Sequence, residues 1–139
     1  MLRYDNPDQM IEWAADIIGC RFRPDAVCIG WGDPLQAVVV YDGFSECDCN
    51  MHVASDGGRR WLSRGNLAAF FSYPFIQCGL RRVTALVPAK NRHAIQFDQR
   101  LGFEFEGLCR DALPDDDIVI LGMRRTCCPF IPERQKCMT

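Results

Sequence analysis

Histidine is scarce in this sequence. Only His52 and His93 occur, so chemistry that relies on imidazole has two positions to use. Net charge is small as well: 16 Lys and Arg against 18 Asp and Glu leave −2, which gives bulk electrostatics no hold on nucleic acid. No apolar run approaches the roughly 20 residues that span a bilayer, so no membrane partner is expected. The opening MLRYDNPDQM lacks the apolar core of a secretory leader, and the expected location is the compartment of synthesis, the cytoplasm. Paired metal-binding cysteines are missing too. Nine cysteines are present, an odd number without one C-x-x-C, whereas a structural zinc usually draws on two close ligand pairs. They read as free thiols used as small core residues in a reducing setting, with no metal and no disulfide. The sequence shows no internal repeat and no interdomain linker.

What is present has the composition of one globular domain: 139 residues, 48% apolar and 24% charged, enough chain to bury a core without staples. Residues 6–18 read as a helix. Asn6 suits the N-cap, Pro7 the first helical position and Gln9 a capping box. Met10, Ile11, Ala14, Ile17 and Ile18 form its apolar stripe, and Gly19 ends it. Strands are expected at 26–31 and 36–41, joined by a turn at Asp33-Pro34. A third, at 46–54, alternates Cys47, Cys49, Met51 and Val53 with Asp48, Asn50 and His52. A glycine-containing loop at 55–60 leads to a helix over 62–77, with Leu67, Phe70, Phe71 and Phe75 inward and a bend at Pro74. A strand follows at 82–87. Next comes a helix at 91–101, capped by Asn91, with Ala94, Phe97 and Leu101 inward and Gly102 as its stop. Two strands at 103–109 and 117–123 flank the turn Pro114-Asp115-Asp116, and residues 2–4 can add a first strand. The helical crossover makes strands 46–54 and 82–87 parallel. Residues 1–129 are expected to form one domain, and 130–139 a tail without fixed structure.

The segment from Leu80 to Arg110 carries Asn91, Leu101-Gly102-Phe103, Glu106-Gly107 and Arg110. It resembles the strand–Asn–helix–Leu-Gly-Phe–x-x–Glu-Gly–x-x–Arg pattern of the GNAT N-acetyltransferases, nearest to the branch that acetylates the N-termini of ribosomal proteins and related amines. Asp117 to Arg124 and Cys128 are similar to that pattern's closing strand. The likeness covers residues 50–128 well and the first 50 by element order. It implies an α/β (α+β) GNAT fold, a central mixed, splayed sheet of six to seven strands flanked by about three helices. It also implies acetyl-CoA as co-substrate, no metal, and a protein or small-molecule amine as acceptor, with a homodimer left open. Small proteins of this type are common in bacteriophage genomes, so a phage origin, and then the host cytoplasm, is an expectation.

The resemblance places the coenzyme between the two parallel strands, with its pyrophosphate at the loop before helix 62–77. A helix start offers amide N–H groups and a positive dipole end, and Arg59, Arg60 and Arg64 add charge suited to phosphate. Val53, Ala54, Arg59, Arg60, Trp61, Leu62, Ser63, Arg64, Asn91 and Phe97 are the expected coenzyme contacts. The family's loop runs Gln or Arg, two residues, Gly, one residue, Gly or Ala; Gly58, Trp61 and Ser63 fall on those places. Trp61 thus stands where a glycine normally lets backbone approach phosphate closely. For catalysis, His52 is the candidate base, since imidazole titrates near neutrality, although a strand histidine can equally be a hydrogen-bonded structural residue. Asp48 and Glu46 are weaker alternatives. Many family members use a tyrosine of the second helix as acid to the departing thiolate. Asp98 takes its place here, and a carboxyl at its reference pKa of ~3.9 is a poor proton donor.

Two functions remain open on these residues. One is acetyl transfer from acetyl-CoA to a primary amine of a protein N-terminus, a lysine or a small molecule. The other is a non-catalytic GNAT-like module, such as a phage accessory or virion-associated protein, which the altered loop and the missing tyrosine favour. Acceptor choice would lie in the loops 19–25, 42–46 and 111–116.

Overall fold

The computed structural model describes residues 1–137. Its centre is β3 (Ala37–Asp42), whose six residues are all buried. Four β-branched or small apolar side chains in succession suit a strand covered on both faces. β2 (Val27–Trp31) and β4 (Asn50–Ser55) flank β3 antiparallel, and β1 (Leu2–Arg3) adds to the outer edge of β2. β5 (Arg82–Pro88) lies beside β4 in parallel, then β7 (Asp116–Arg124) and β6 (Glu104–Leu113) complete the order β1-β2-β3-β4-β5-β7-β6.

Side-chain alternation assigns each face of the sheet its helix. Val38, Val40 and Ala54 point to one side and bury Met10 and Ala14 of α1 (Pro7–Ile18). Gly30 lets Met10 pack close to the sheet there, and a Cβ in its place would meet the Met10 sulfur and displace that side chain. Val39, Tyr41, Met51, Val83, Ala85 and Leu121 point to the other side, against Leu67, Phe70 and Phe71 of α2 (Arg64–Ser72). The Tyr41 hydroxyl donates to the Phe70 carbonyl at 2.6 Å, tying central strand to helix. α3 (Arg92–Leu101) covers the same face through Ala94, Ile95, Phe97 and Leu101.

Several expectations are corrected. Asn6 precedes α1 in the left-handed region (φ 50°) and makes no capping bond with its side chain. The third strand starts at Asn50, not 46, because Ser45 takes the Cys47 and Asp48 amides on its hydroxyl and turns the chain. Cys47 is consequently exposed while Cys49 is buried, and Cys78, Cys109, Cys127 and Cys137 are exposed too, so most of the thiols are not core residues. The helix expected over 62–77 is α2 followed by a π-helical turn at Tyr73–Gln77. There Pro74 has no N–H to give, and the Cys78 amide reaches back to Tyr73 O. Past residue 129, Phe130 stacks on Phe71 at 5.2 Å, Ile131 is buried, and α4 (Glu133–Lys136) follows. The tail expected at 130–139 is therefore packed at its apolar start. Residues 138–139 lie outside the described ones.

Candidate active site

The pairing of β4 with β5 makes the site. Thr84 N–H donates to Cys49 C=O at 2.9 Å, and Asn50 opposite Thr84 is the one registered pair. Beyond it the two parallel strands part. In β4 the even-numbered residues direct their backbone groups to β3, as in Val38↔Ala54 and Val40↔His52, and the ladder ends with Asp56 N–H on Gln36 C=O. With the two-residue period of a strand, the backbone groups of Val53 and Ser55 then face the gap. The gap is a slot of about 450 Å³ walled by Met51, His52, Val53, Ser55, Gly57 to Arg59, Trp61, Leu62, β5 from Ala85 to Pro88, and the inner face of α3.

His52 reaches this slot from the α1 side of the sheet. Its Nε2 lies 2.9 Å from Oδ1 of Asp42, a carboxylate only 3% exposed whose other oxygen accepts the Arg23 amide. The Phe22 ring covers the imidazole, centroid to centroid 5.0 Å. A carboxylate on Nε2 selects the tautomer with N–H there, which leaves the lone pair on Nδ1. Nδ1 has no protein partner among the described residues. Asp42 was not foreseen as a site residue. The sequence signal was there: it ends the valine run of β3 and lies diagonally from His52 across the β3–β4 hairpin.

Asp98 enters from α3, the opposite side. It lines the slot with Trp61, Phe97, Leu101 and Phe103. Its carboxyl has no hydrogen-bond partner among the described residues. Burial without compensation disfavours the charged form and lifts its pKa to about 7. That overturns the expectation of a carboxylate titrating at its ordinary value.

Asp48 does not line the slot. Both its oxygens receive the Thr84 hydroxyl, at 3.0 and 2.9 Å, and Arg82 lies 3.6 Å away while also gripping Glu106 at 2.6 Å. Its charge serves to join β4 to β5. Glu46 is exposed on the turn before β4.

The expected coenzyme contacts divide. Val53, Arg59, Trp61, Leu62, Asn91 and Phe97 line the slot. Ala54 does not: its side chain packs with Met10 and Ala14 under α1, and its backbone belongs to the β3 ladder. Arg60, Ser63 and Arg64 are exposed at the start of α2, outside the slot wall. The Ser63 hydroxyl caps α2 on the Asn66 amide at 3.1 Å. Asn91 caps α3 on the Ala94 amide at 3.2 Å. Trp61 is 2% exposed. Its ring enters the core between Phe70 and Phe97, and its indole N–H holds the Gly58 carbonyl at 2.9 Å. The bulk that replaces glycine is therefore turned away from the loop's outer surface. The amides of Arg59, Arg60, Trp61, Ser63, Arg64 and Gly65 donate to nothing within the described residues. A run of unpaired N–H groups leading into a helix start suits an anion.

A sheet of this order, opened between a central parallel pair and flanked by α1 on one face and α2 and α3 on the other, is the GNAT fold. Solved structures with this fold agree. A spermidine N-acetyltransferase from Vibrio cholerae, in mutant form, superposes with a TM-score of 0.65 at 14% identity, covering 86% of this chain and 75% of that one. Ard1 from Thermoplasma volcanium superposes with a TM-score of 0.68 at 15% identity, covering 89% and 96%. No protein-family profile matches the sequence, and no curated protein matches it.

Proposed function

We propose that the chain is an N-acetyltransferase that moves an acetyl group from acetyl-CoA to a primary amine. The observation that carries this is the convergence, in one slot, of unpaired β4 backbone groups with a histidine fixed by a buried carboxylate. Acetyl-CoA supplies an activated thioester. The residues fit such a ligand: the unpaired amides of Arg59, Arg60, Trp61, Ser63, Arg64 and Gly65, with the Arg59 and Arg60 side chains, suit its pyrophosphate, and the Val53 and Ser55 backbone suits an extended amide-bearing arm. Phe97 and Leu62 exclude water along the wall. An ammonium acceptor must lose a proton before it can attack, since α-amino and lysine groups are mostly protonated at neutral pH. Nδ1 of His52 takes that proton, and Asp42 holds the ring and stabilises the imidazolium that forms. The spermidine N-acetyltransferase among the solved structures of this fold supports an amine as the acceptor class. The segments 19–25 and 42–46, tied together by Asp25 accepting the Gly43 and Phe44 amides, sit where selection among amines would occur.

The test pairs binding with turnover. Acetyl-CoA should bind in calorimetry, and His52→Ala should keep that affinity while lowering turnover about 10²- to 10⁴-fold. The variant should also lose the acidic limb of the pH–rate profile. Full turnover in His52→Ala would put the base elsewhere. No acetyl-CoA binding by the wild type would favour a non-catalytic module.

A further inference from the structure

Asp98 is the one carboxyl in the slot among the described residues, and the chain gives it no partner there. A structural carboxylate in a half-buried position normally has an arginine, a lysine or several amides around it. The charged or titratable groups facing the slot are His52 on β4, Arg59 on the loop after β4, and His93 and Asp98 on α3; α1 contributes Ile17 and Ile18 and β5 contributes Ala85 to Pro88, none of them charged. Among the described residues, no cation is within ion-pairing distance of Asp98. It shares the slot lining with Trp61, Phe97, Leu101 and Phe103. An apolar wall of this kind stabilises the neutral carboxyl. A coenzyme that carries several negative charges and displaces slot water would stabilise it further, because both desolvation and like charge disfavour ionisation.

Resting on the reading of the slot as a coenzyme site, we propose that Asp98 takes up a proton when the coenzyme binds and delivers it to the leaving sulfur. Atoms and electrons balance. The ammonium proton that His52 takes first passes on to solvent, so the amine attacks neutral and Nδ1 is free again; as the C–N bond forms, a second N–H proton passes to His52 Nδ1. As the C–S bond breaks, its electron pair goes to sulfur, which takes the carboxyl proton of Asp98. The products are the amide, the free thiol, an imidazolium and a carboxylate. One proton then moves through solvent from imidazolium to carboxylate and restores both groups. The base lies on the α1 side of the sheet and the acid on the α3 side, so the parting of β4 from β5 lets each act on its own end of the reaction.

The linkage can be read without turnover. Coenzyme A is titrated into the full chain by calorimetry at pH 8 in buffers of different ionisation enthalpy. At that pH a phosphate monoester, with its second pKa near ~6, is fully ionised and contributes no proton. With the Asp98 pKa at about 7, the free carboxyl is mostly ionised, and uptake should approach one proton per coenzyme bound. Asp98→Asn has nearly the same shape and should bind with no uptake assigned to this site. Asp98→Asn should also lower kcat about 10²- to 10⁴-fold with little change in KM. Binding without uptake, or equal uptake in Asp98→Asn, would overturn the proposal while leaving the coenzyme site standing, with the histidines as the source in the second case. Absence of coenzyme binding would remove both. Coenzyme binding by the wild type without proton uptake overturns the proposal even if the variant proves unstable.

Discussion

Replacing Asp98 by Asn should stabilise the protein, and by an amount that depends on pH. The carboxyl titrates at about 7 in the fold against an ordinary value of 3.8, because burial penalises its charge. Below pH 4 it is neutral in both folded and unfolded chains and costs nothing. Between pH 4 and 7 the unfolded chain releases the proton and the native chain keeps it. The native state then binds more protons, and stability falls as pH rises, by up to about 1.4 kcal/mol per pH unit. Above pH 7 both states are ionised and the loss is constant. Accumulated over that whole interval, the loss is capped at roughly 4 kcal/mol. Water reaching the carboxyl through the slot reduces this, and roughly 1–3 kcal/mol is the expected range. Urea unfolding of wild type and Asp98→Asn at pH 4, 6 and 8 measures it. The variant should match wild type near pH 4 and exceed it at pH 8. A difference that is the same at every pH, or a variant less stable at pH 8, would refute the account of a partnerless buried carboxyl.

Other consequences can be checked with the same preparations. Trp61→Ala should cost roughly 3–5 kcal/mol in urea unfolding, because it empties a core site between Phe70 and Phe97; a loss under about 1 kcal/mol would show that the ring is not core. Trp61→Phe, which keeps an aromatic ring and loses the bond to the Gly58 carbonyl, should cost about 1–2 kcal/mol. Replacing Arg59 and Arg60 together by Ala should weaken acetyl-CoA binding by at least tenfold at low salt, with a smaller effect at high salt. Unchanged affinity would place the phosphates elsewhere.

Much of this fold was legible because its signals are local. The valine run of β3, the Asn91 cap and the Gly102 stop of α3, and the crossover that makes β4 and β5 parallel all follow from residues near one another in sequence. Gly102 is in the left-handed region, φ 119°, as a helix stop of this kind requires. Where the expectation missed, a contact from elsewhere decided the outcome. The start of β4 is delayed by the Ser45 turn, and Asp48, which looked like a strand residue open to solvent, is held by Thr84, 36 positions away. Asp42 became a site residue through register, which the sequence reveals only once the hairpin partner is fixed. Asp98 was expected to titrate at its ordinary value, whereas burial in the folded chain raises its pKa to about 7. Sequence neighbours alone, Phe97 and Gln99, say little about that.

The two departures from the family pattern that argued against catalysis are linked in space. Trp61 replaces the loop glycine and Asp98 replaces the helix tyrosine. The Trp61 indole packs on Phe97 at 6.0 Å, beside Asp98 on α3, and both residues wall the same slot. A glycine in the place of Trp61 would leave that wall open to water, and a carboxyl beside water would titrate near its ordinary value and could not hold a proton at neutral pH. The indole closes the wall from inside the core, without covering the unpaired amides on the loop's outer surface. On the proposed reading, the place of the tryptophan in that wall helps to make the carboxyl usable as an acid. The bulky loop residue therefore does not by itself mark a decayed phosphate site, because its ring is buried in the core on a wall it shares with Asp98. On the proposed reading, the unpaired amides of Arg59, Arg60, Trp61, Ser63, Arg64 and Gly65 and the Arg59 and Arg60 side chains serve the phosphate, and Asp98 and His52 serve as acid and base from opposite sides of one opening.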